Sequence, residues 1–180
     1  MYLLTETASP FALERWAAFF ANFGQFAKGF FYTLGISIGA LIVALLLGLI
    51  FGAMSSTHNK VLRGISRVYV EIFQNTPLLV QFVVVFYGIS ILTDGHVMIP
   101  ISLTAILCVG VYTGAYISEI IRTGIEAVPK GQTEAALSQG FTYADTMRII
   151  ILPQAVRTIL PPLTNQVVNL IKNTSTVAII

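Results

Sequence analysis

The sequence predicts an all-α integral membrane protein, and three observations carry that prediction. Hydrophobic residues make up 56% of the 180 positions and charged residues only 10%, against ~25% charged in an ordinary soluble domain. Mean hydropathy is +0.82, and a soluble domain with so little charge would expose large apolar patches. Long apolar runs recur that reach the ~20 residues a helix needs to cross a ~30 Å hydrocarbon core. Other classes drop out quickly. Ten Lys and Arg against eight Asp and Glu give a net charge of +2, too weak a basic balance for a nucleic-acid partner. The single cysteine, Cys108, excludes an internal disulfide framework. His58 and His96 stand apart, so no metal-ligand spacing arises.

The first span is expected over 29–56, which carries no charged residue and has a helix-prone centre at 41–47. Gly35, Gly39, Gly48 and Gly52 recur there with pairs four apart, the spacing that lets a neighbouring helix approach closely. A second span is expected over 72–92, broken early by Pro77, and then a polar turn at Asp94, Gly95 and His96. A third covers 99–121, with Pro100 near its start, where a missing N–H costs least. The stretch 123–157 is too polar to cross. A fourth apolar segment, 158–180, is expected as a span although it contains Pro161, Pro162, Asn165, Gln166, Asn169 and Lys172. The first run far exceeds the 7–15 residues of a signal-peptide core and should stay in the mature protein.

Lys and Arg in short loops set the orientation. Lys60, Arg63 and Arg67 fall in the first loop, none in the second, and Arg122, Lys130, Arg148 and Arg157 in or beside the polar stretch. Residues 1–28 are thus expected as an extracytoplasmic N-terminal segment, 29–180 as the membrane domain, and 123–157 as a cytoplasmic segment.

That cytoplasmic segment has internal order. Thr133 is expected to cap a short helix, with Glu134 at its positive end. Gly140 supplies the stop, since the residue past a helix end often needs positive φ. Thr142 offers a second cap, with Asp145 three residues on as an imperfect capping box. The second helix is expected to end near Leu152, where Pro153 interrupts it. Leu137 and Phe141, four apart, complete a compact knob, and the small side chains of Ala135 and Ala136 leave its backbone open to a partner. A helix resting on lipid headgroups is the plainer alternative.

Glu134-Ala135-Ala136, three residues, Gly140, nine residues, Ile150, one residue, then Leu152-Pro153 resembles the signature loop of ABC importer permeases, with every fixed position and gap matched. The flanks resemble more narrowly the polar amino-acid permeases: the run 75–81 from Asn75-Thr76-Pro77 to Gln81, the run 115–122 from Ala115-Tyr116 to Glu119 and Arg122, then Gly131-Gln132, Pro153-Gln154-Ala155-Val156-Arg157, Pro161, and Lys172-Asn173-Thr174-Ser175. The likeness covers nearly everything after residue 25. Gln74 stands where the family usually has Arg, Thr123 where it has Gly, and Thr176 where it has Leu.

The resemblance implies a type I ABC importer permease-like helix bundle with a five-span core, so one further span is expected beyond the four seen here. It implies a second permease, the same chain or a paralogue, a cytoplasmic ATPase dimer and an extracytoplasmic amino-acid-binding protein, with this chain in a bacterial plasma membrane. Glu134, Ala135, Ala136, Leu137, Gly140 and Phe141 would be the contact with the ATPase. ATP and Mg would bind that partner, and no cofactor this chain, which lacks a phosphate-cradling Gly-rich Lys loop. No catalytic residue is expected.

Polar groups inside spans are costly and therefore candidates for the substrate path. Gln74, Asn75, Thr76 and Gln81 surround a proline that frees backbone groups, with Gln74 and Gln81 seven apart on one face. Tyr112, Tyr116 and Glu119 share a helix face, although Glu119 pairing with Arg122 is the blander reading and the favoured one. Glu71 has Arg67 four residues earlier. Asn165, Asn169 and Lys172 form a polar stripe expected to face the permease pair. The alternative from another class is a non-transporting scaffold or passive channel whose knob docks a different partner. A secondary transporter ranks third, because it would show ion-coupling acids at mid-membrane and an internal repeat.

Overall fold

The computed structural model describes residues 13–179, and every regular element among them is helical. The chain divides into two compact units, 1–35 and 36–180. In the first, α1 (Leu13–Ala21) meets the start of α2 (Phe23–Ser55) at Asn22, whose side-chain amide donates to the Ala18 carbonyl at 2.8 Å. Of the expected N-terminal segment, 1–12 lies outside the described residues.

In the second unit, α2 runs on to Ser55 and buries one stripe, Ile36, Ala40, Ala44, Gly48 and Gly52 among it. This stripe packs on α6 (Ile101–Glu126) through small residues on both helices. A methyl group placed on Gly39 would come within 3.0 Å of Ile106, and one on Gly52 within 2.9 Å of Ile121. Ile117 occupies the space a side chain at Gly48 would need. Gly110 and Gly114 of α6 receive Val43 and Leu47 of α2 in return. The expected close approach thus holds at Gly39, Gly48 and Gly52, whereas Gly35 has open space beside it. Ala105, Cys108 and Val109 of α6, Phe82 and Leu170 complete the core.

The loop expected to hold Lys60, Arg63 and Arg67 is instead α3 (Lys60–Asn75). Asn59 caps it, its side-chain oxygen accepting from the N–H groups of Val61 and Leu62. The charges misled because all three side chains are exposed. The inner face carries Ser66, which donates to the Phe51 carbonyl at 2.7 Å, and Tyr69, which stacks on Phe51 at 4.0 Å and donates to the Val111 carbonyl at 2.8 Å. The break expected at Pro77 forms, although the helix ahead of it starts at Lys60 rather than Ile72. The chain leaves α3 at Thr76, extended at φ −100 and ψ 124, turns through 98°, and resumes as α4 (Leu78–Val83). A π-helical turn, Val84–Gly88, and α5 (Ile89–Leu92) follow. Asp94 and Gly95 then reverse the chain with positive φ, in the expected turn.

Helices α2 and α6 are each long and apolar enough to cross a membrane, and so is the bent pair Lys60–Asn75 with Leu78–Leu92 if counted as one span. α7 (Lys130–Ser138) and α8 (Tyr143–Asp145) are short. A π-helical stretch, Thr146–Ile151, leads into α9 (Leu152–Asn173). Pro153 therefore does not stop the helix. It lies in the first turn of α9, where its missing N–H is tolerated. α9 packs on α6, with Ile159 filling the space beside Gly124.

Candidate functional site

The knob begins one turn earlier than the sequence suggests. Pro129, not Thr133, is the residue before α7, because its fixed φ and missing N–H suit a helix entry and Lys130 continues from it. Glu134, Ala135 and Leu137 are exposed on α7, and only Ala136 is buried. Gly140 closes the helix at φ +88. The Phe141 N–H reaches back to the Ala136 carbonyl at 3.2 Å and the Gly140 N–H to Leu137 at 3.0 Å. That pair of bonds is a Schellman stop, which satisfies carbonyls that would otherwise end the helix unpaired.

Thr142 caps α8 as expected. Its hydroxyl accepts from the Asp145 N–H at 3.1 Å and donates to the Asp145 carboxylate at 2.6 Å. The Thr146 hydroxyl, buried, donates back to the Thr142 carbonyl at 2.9 Å. His58, in the turn between α2 and α3, meets the Tyr143 ring edge-on at 4.9 Å. The result is a short stop-and-restart turn, Glu134 to Phe141, with Glu134 lining an open cavity shared with His58, Arg63 and Tyr143.

Between α3 and α6 lies an open cavity of about 520 Å³. Among its lining are Arg67, Gln74, Glu119 and Arg122. The Gln74 amide donates to the Ala115 carbonyl at 3.2 Å. Arg122 grips Glu119 with two nitrogens, Nε at 2.9 Å, and Glu126 with a third at 2.6 Å. Arg67 pairs with Glu71 at 3.0 Å. The Glu119–Arg122 and Arg67–Glu71 pairs are the blander arrangement that the spacing suggests. Ser118 also lines this cavity, yet its hydroxyl is buried and has no hydrogen-bond partner. Nothing in the sequence marks it, since a serine on an apolar helix usually donates to its own backbone.

The other path candidates scatter. Gln74 and Gln81 do not share a face, because the bend at 76–77 separates their helices. Gln81 is buried and spends its amide on the carbonyls of Phe73, at 3.1 Å, and Thr76, at 3.0 Å. Asn75 is exposed, and Thr76 donates to the Ile72 carbonyl at 2.8 Å. Tyr116 and Tyr112 share a hydroxyl contact at 3.2 Å. Asn165, Asn169 and Lys172 form an exposed stripe on α9, away from the cavity lining.

A buried seam of apolar helices, with α2, α6 and the bent pair long and apolar enough to cross a membrane, defines a multi-pass membrane component. Residues 44–180 match the family model "Binding-protein-dependent transport system inner membrane component", and the chain belongs to that family. It is 41% identical over 164 residues to the probable glutamine ABC transporter permease protein GlnM of Bacillus subtilis (strain 168), covering 89% of this chain and 73% of that protein. It is 36% identical over 162 residues to the glutamate/aspartate import permease protein GltJ of Escherichia coli (strain K12), covering 84% of this chain and 66% of that one. A crystal structure of an amino acid ABC transporter with histidines superposes with a TM-score of 0.83 at 33% identity, over 91% of this chain and 75% of that one. The expected importer-permease bundle is thereby borne out, and so is the reading of a transport component rather than an enzyme.

Proposed function

We propose that this chain is the membrane-spanning permease subunit of an ATP-driven importer for polar amino acids, and that it forms the translocation path by alternating access. The names of its relatives, permeases for glutamine, glutamate or aspartate and arginine, support the substrate class. The partners are a second permease, a cytoplasmic ATPase dimer that carries ATP and Mg, and an extracytoplasmic amino-acid-binding protein. In a bacterial plasma membrane the start of the chain lies outside and 123–157 lies inside, as the Lys and Arg distribution directs.

The single observation that carries this reading is the knob. Glu134, Ala135, Leu137 and Gly140 are exposed along a stop-and-restart motif whose turn is held by its own hydrogen bonds. A small-residue surface of that kind lets a partner groove close on the backbone, and closure of the ATPase dimer then moves α7 and α8 as one piece. Gln74 and Glu119, on the cavity between α3 and α6, stand on the path. Asn165, Asn169 and Lys172 face the second permease. A partner shifts the balance of the two facing states only through its different affinity for each.

The test is ATP hydrolysis by the complex purified from its native membrane, wild type against Gly140→Asp. Aspartate at φ +88 strains the stop and adds a charge at the turn. Co-purification of an ATPase with wild type and its loss or uncoupling in the variant is the expected result. Well-folded wild type without any ATPase in mild detergent would sink the reading. Lys172→Ala is expected to lower transport more than it lowers the amount of protein in the membrane, and equal losses would make Lys172 structural.

A further inference from the structure

The first unit carries a dense set of aromatic side chains that the importer reading does not use. Between residues 16 and 32 stand Trp16, Phe19, Phe20, Phe23, Phe26, Phe30, Phe31 and Tyr32. Phe19 is the hub of a ring cluster, 4.8 Å from Phe26 and 5.4 Å from Phe20, with Trp16 edge-on at 6.2 Å. Outside that hub the rings face outward: Trp16 is 49% exposed, Phe20 67% and Phe26 56%. On α1, Leu13, Trp16 and Phe20 recur at three and four residues and make one stripe, and Arg15 stands on the opposite side.

The length of α2 says where these rings sit. Its 33 residues make a rod of about 50 Å, some 20 Å longer than the hydrocarbon core. Lys28 is the last charged residue before Lys60, so the stretch that crosses the core begins after it. Residues 13–28 then fall at or above the edge of the core. Free in water, that many exposed rings would be costly, at roughly 25 cal/mol per Å² of apolar surface. Inside the core, Arg15 and Lys28 would be costly instead, at ~2.5–3.5 kcal/mol each near the centre. The one layer that suits both is the headgroup boundary, where Trp and Tyr gather and where long cationic side chains reach back toward water.

We infer that α1 and the first turns of α2 form an interfacial anchor that lies in the lipid headgroup layer, with Trp16, Phe20 and Leu13 turned to the acyl chains and Arg15 and Lys28 to the lipid phosphates. Asn22 makes this possible. It ends α1, its amide ties the last turn, and α2 starts anew one residue later. The anchor has α1 follow the membrane plane while α2 crosses it. The anchor fixes the depth of a helix that is otherwise long enough to slide. This goes beyond the importer reading and does not depend on it, since any protein in which α2 crosses the bilayer needs these rings covered.

Trp16 is the only tryptophan in the chain, which makes a direct test possible. The intact complex would be reconstituted in phosphatidylcholine bilayers, and the fluorescence of wild type minus Trp16→Phe isolates this one indole. Lipids brominated near the headgroup end of the chain are expected to remove more than half of the difference signal. Lipids brominated near the chain ends should remove little of it, and aqueous acrylamide should quench it weakly. Strong acrylamide quenching without lipid quenching would place α1 in water and overturn the anchor. Quenching by neither would mean that protein covers it, a second copy or a binding protein, and would overturn it equally. A double change, Leu13→Glu with Phe20→Glu, should release α1 and raise acrylamide quenching of Trp16 at least twofold; no rise would show that these two side chains do not hold it.

Discussion

At Thr76–Pro77 the helical chain turns through 98°, whereas at Pro153, Pro161 and Pro162 it runs on without a break in helix. Proline removes a donor and pushes the residue before it out of the helical region. Thr76 obeys, at ψ 124, while Leu152 stays helical at φ −58 and ψ −43. What differs is the supply of other donors and of room. The break is tucked against Gln81, whose buried amide takes both the Phe73 and the Thr76 carbonyls. Ahead of Pro153 the helix widens into a π-helical stretch, and the Gln154 side chain donates to the Ile150 carbonyl at 2.8 Å. Pro161 and Pro162 deprive the carbonyls of Arg157 and Thr158 of helical donors, but both of those residues are exposed. At the corner one buried side chain pairs the carbonyls of both Phe73 and Thr76, while through Pro153, Pro161 and Pro162 the helix continues.

Three substitutions sharpen that contrast. Gln81→Leu keeps the volume but leaves two half-buried carbonyls without this donor, so a loss of about 1–3 kcal/mol is expected. Thermal unfolding in detergent would read it, and a change below the scatter would show that Pro77 alone sets the corner. Pro161→Ala restores an N–H to an exposed helix turn. It should stabilise by about 1 kcal/mol, well under the ~3 kcal/mol intrinsic difference, because α9 already tolerates the ring. A destabilised variant would mean that the proline is itself needed for packing. Gln154→Ala is the mildest, costing about 0.5–1 kcal/mol for one exposed hydrogen bond, and should leave α8 and α9 continuous by hydrogen exchange.

The seam of α2 was legible because its signals are local and of one kind: an unbroken apolar run with glycines four apart. The stop at Gly140 and the cap at Thr142 were legible for the same reason, each being a single residue whose chemistry allows little else. α3 was not. Lys60, Arg63 and Arg67 read as a loop when charge is counted by stretch rather than by face, although Asn59 ahead of Val61 and Leu62 is a cap signal that was there to be used. Thr133 was credited with the work of Pro129, because a hydroxyl is a more familiar helix start than a ring. The role of Gln81 was hidden for a deeper reason. Its partners are backbone carbonyls five and eight residues earlier, and only the turn through 98° brings them within reach. Of the candidate site, the knob was readable residue by residue. The cavity was not, since Gln74 meets Ser118 and Glu119 only through packing between α3 and α6.

The corner at Thr76–Pro77 also changes what this part of the chain is mechanically. Its two arms, α3 with 16 residues and the stretch 78–92, are about 24 and 22 Å long at 1.5 Å per residue, and neither matches a ~30 Å core alone. Bent as they are, they behave as a carpenter's square rather than a post. A square transmits push along one arm as sideways travel of the other: ten degrees more or less at the corner swings the far end of α3 by about 4 Å, nearly three residues of helical rise. The hinge pin is one glutamine amide.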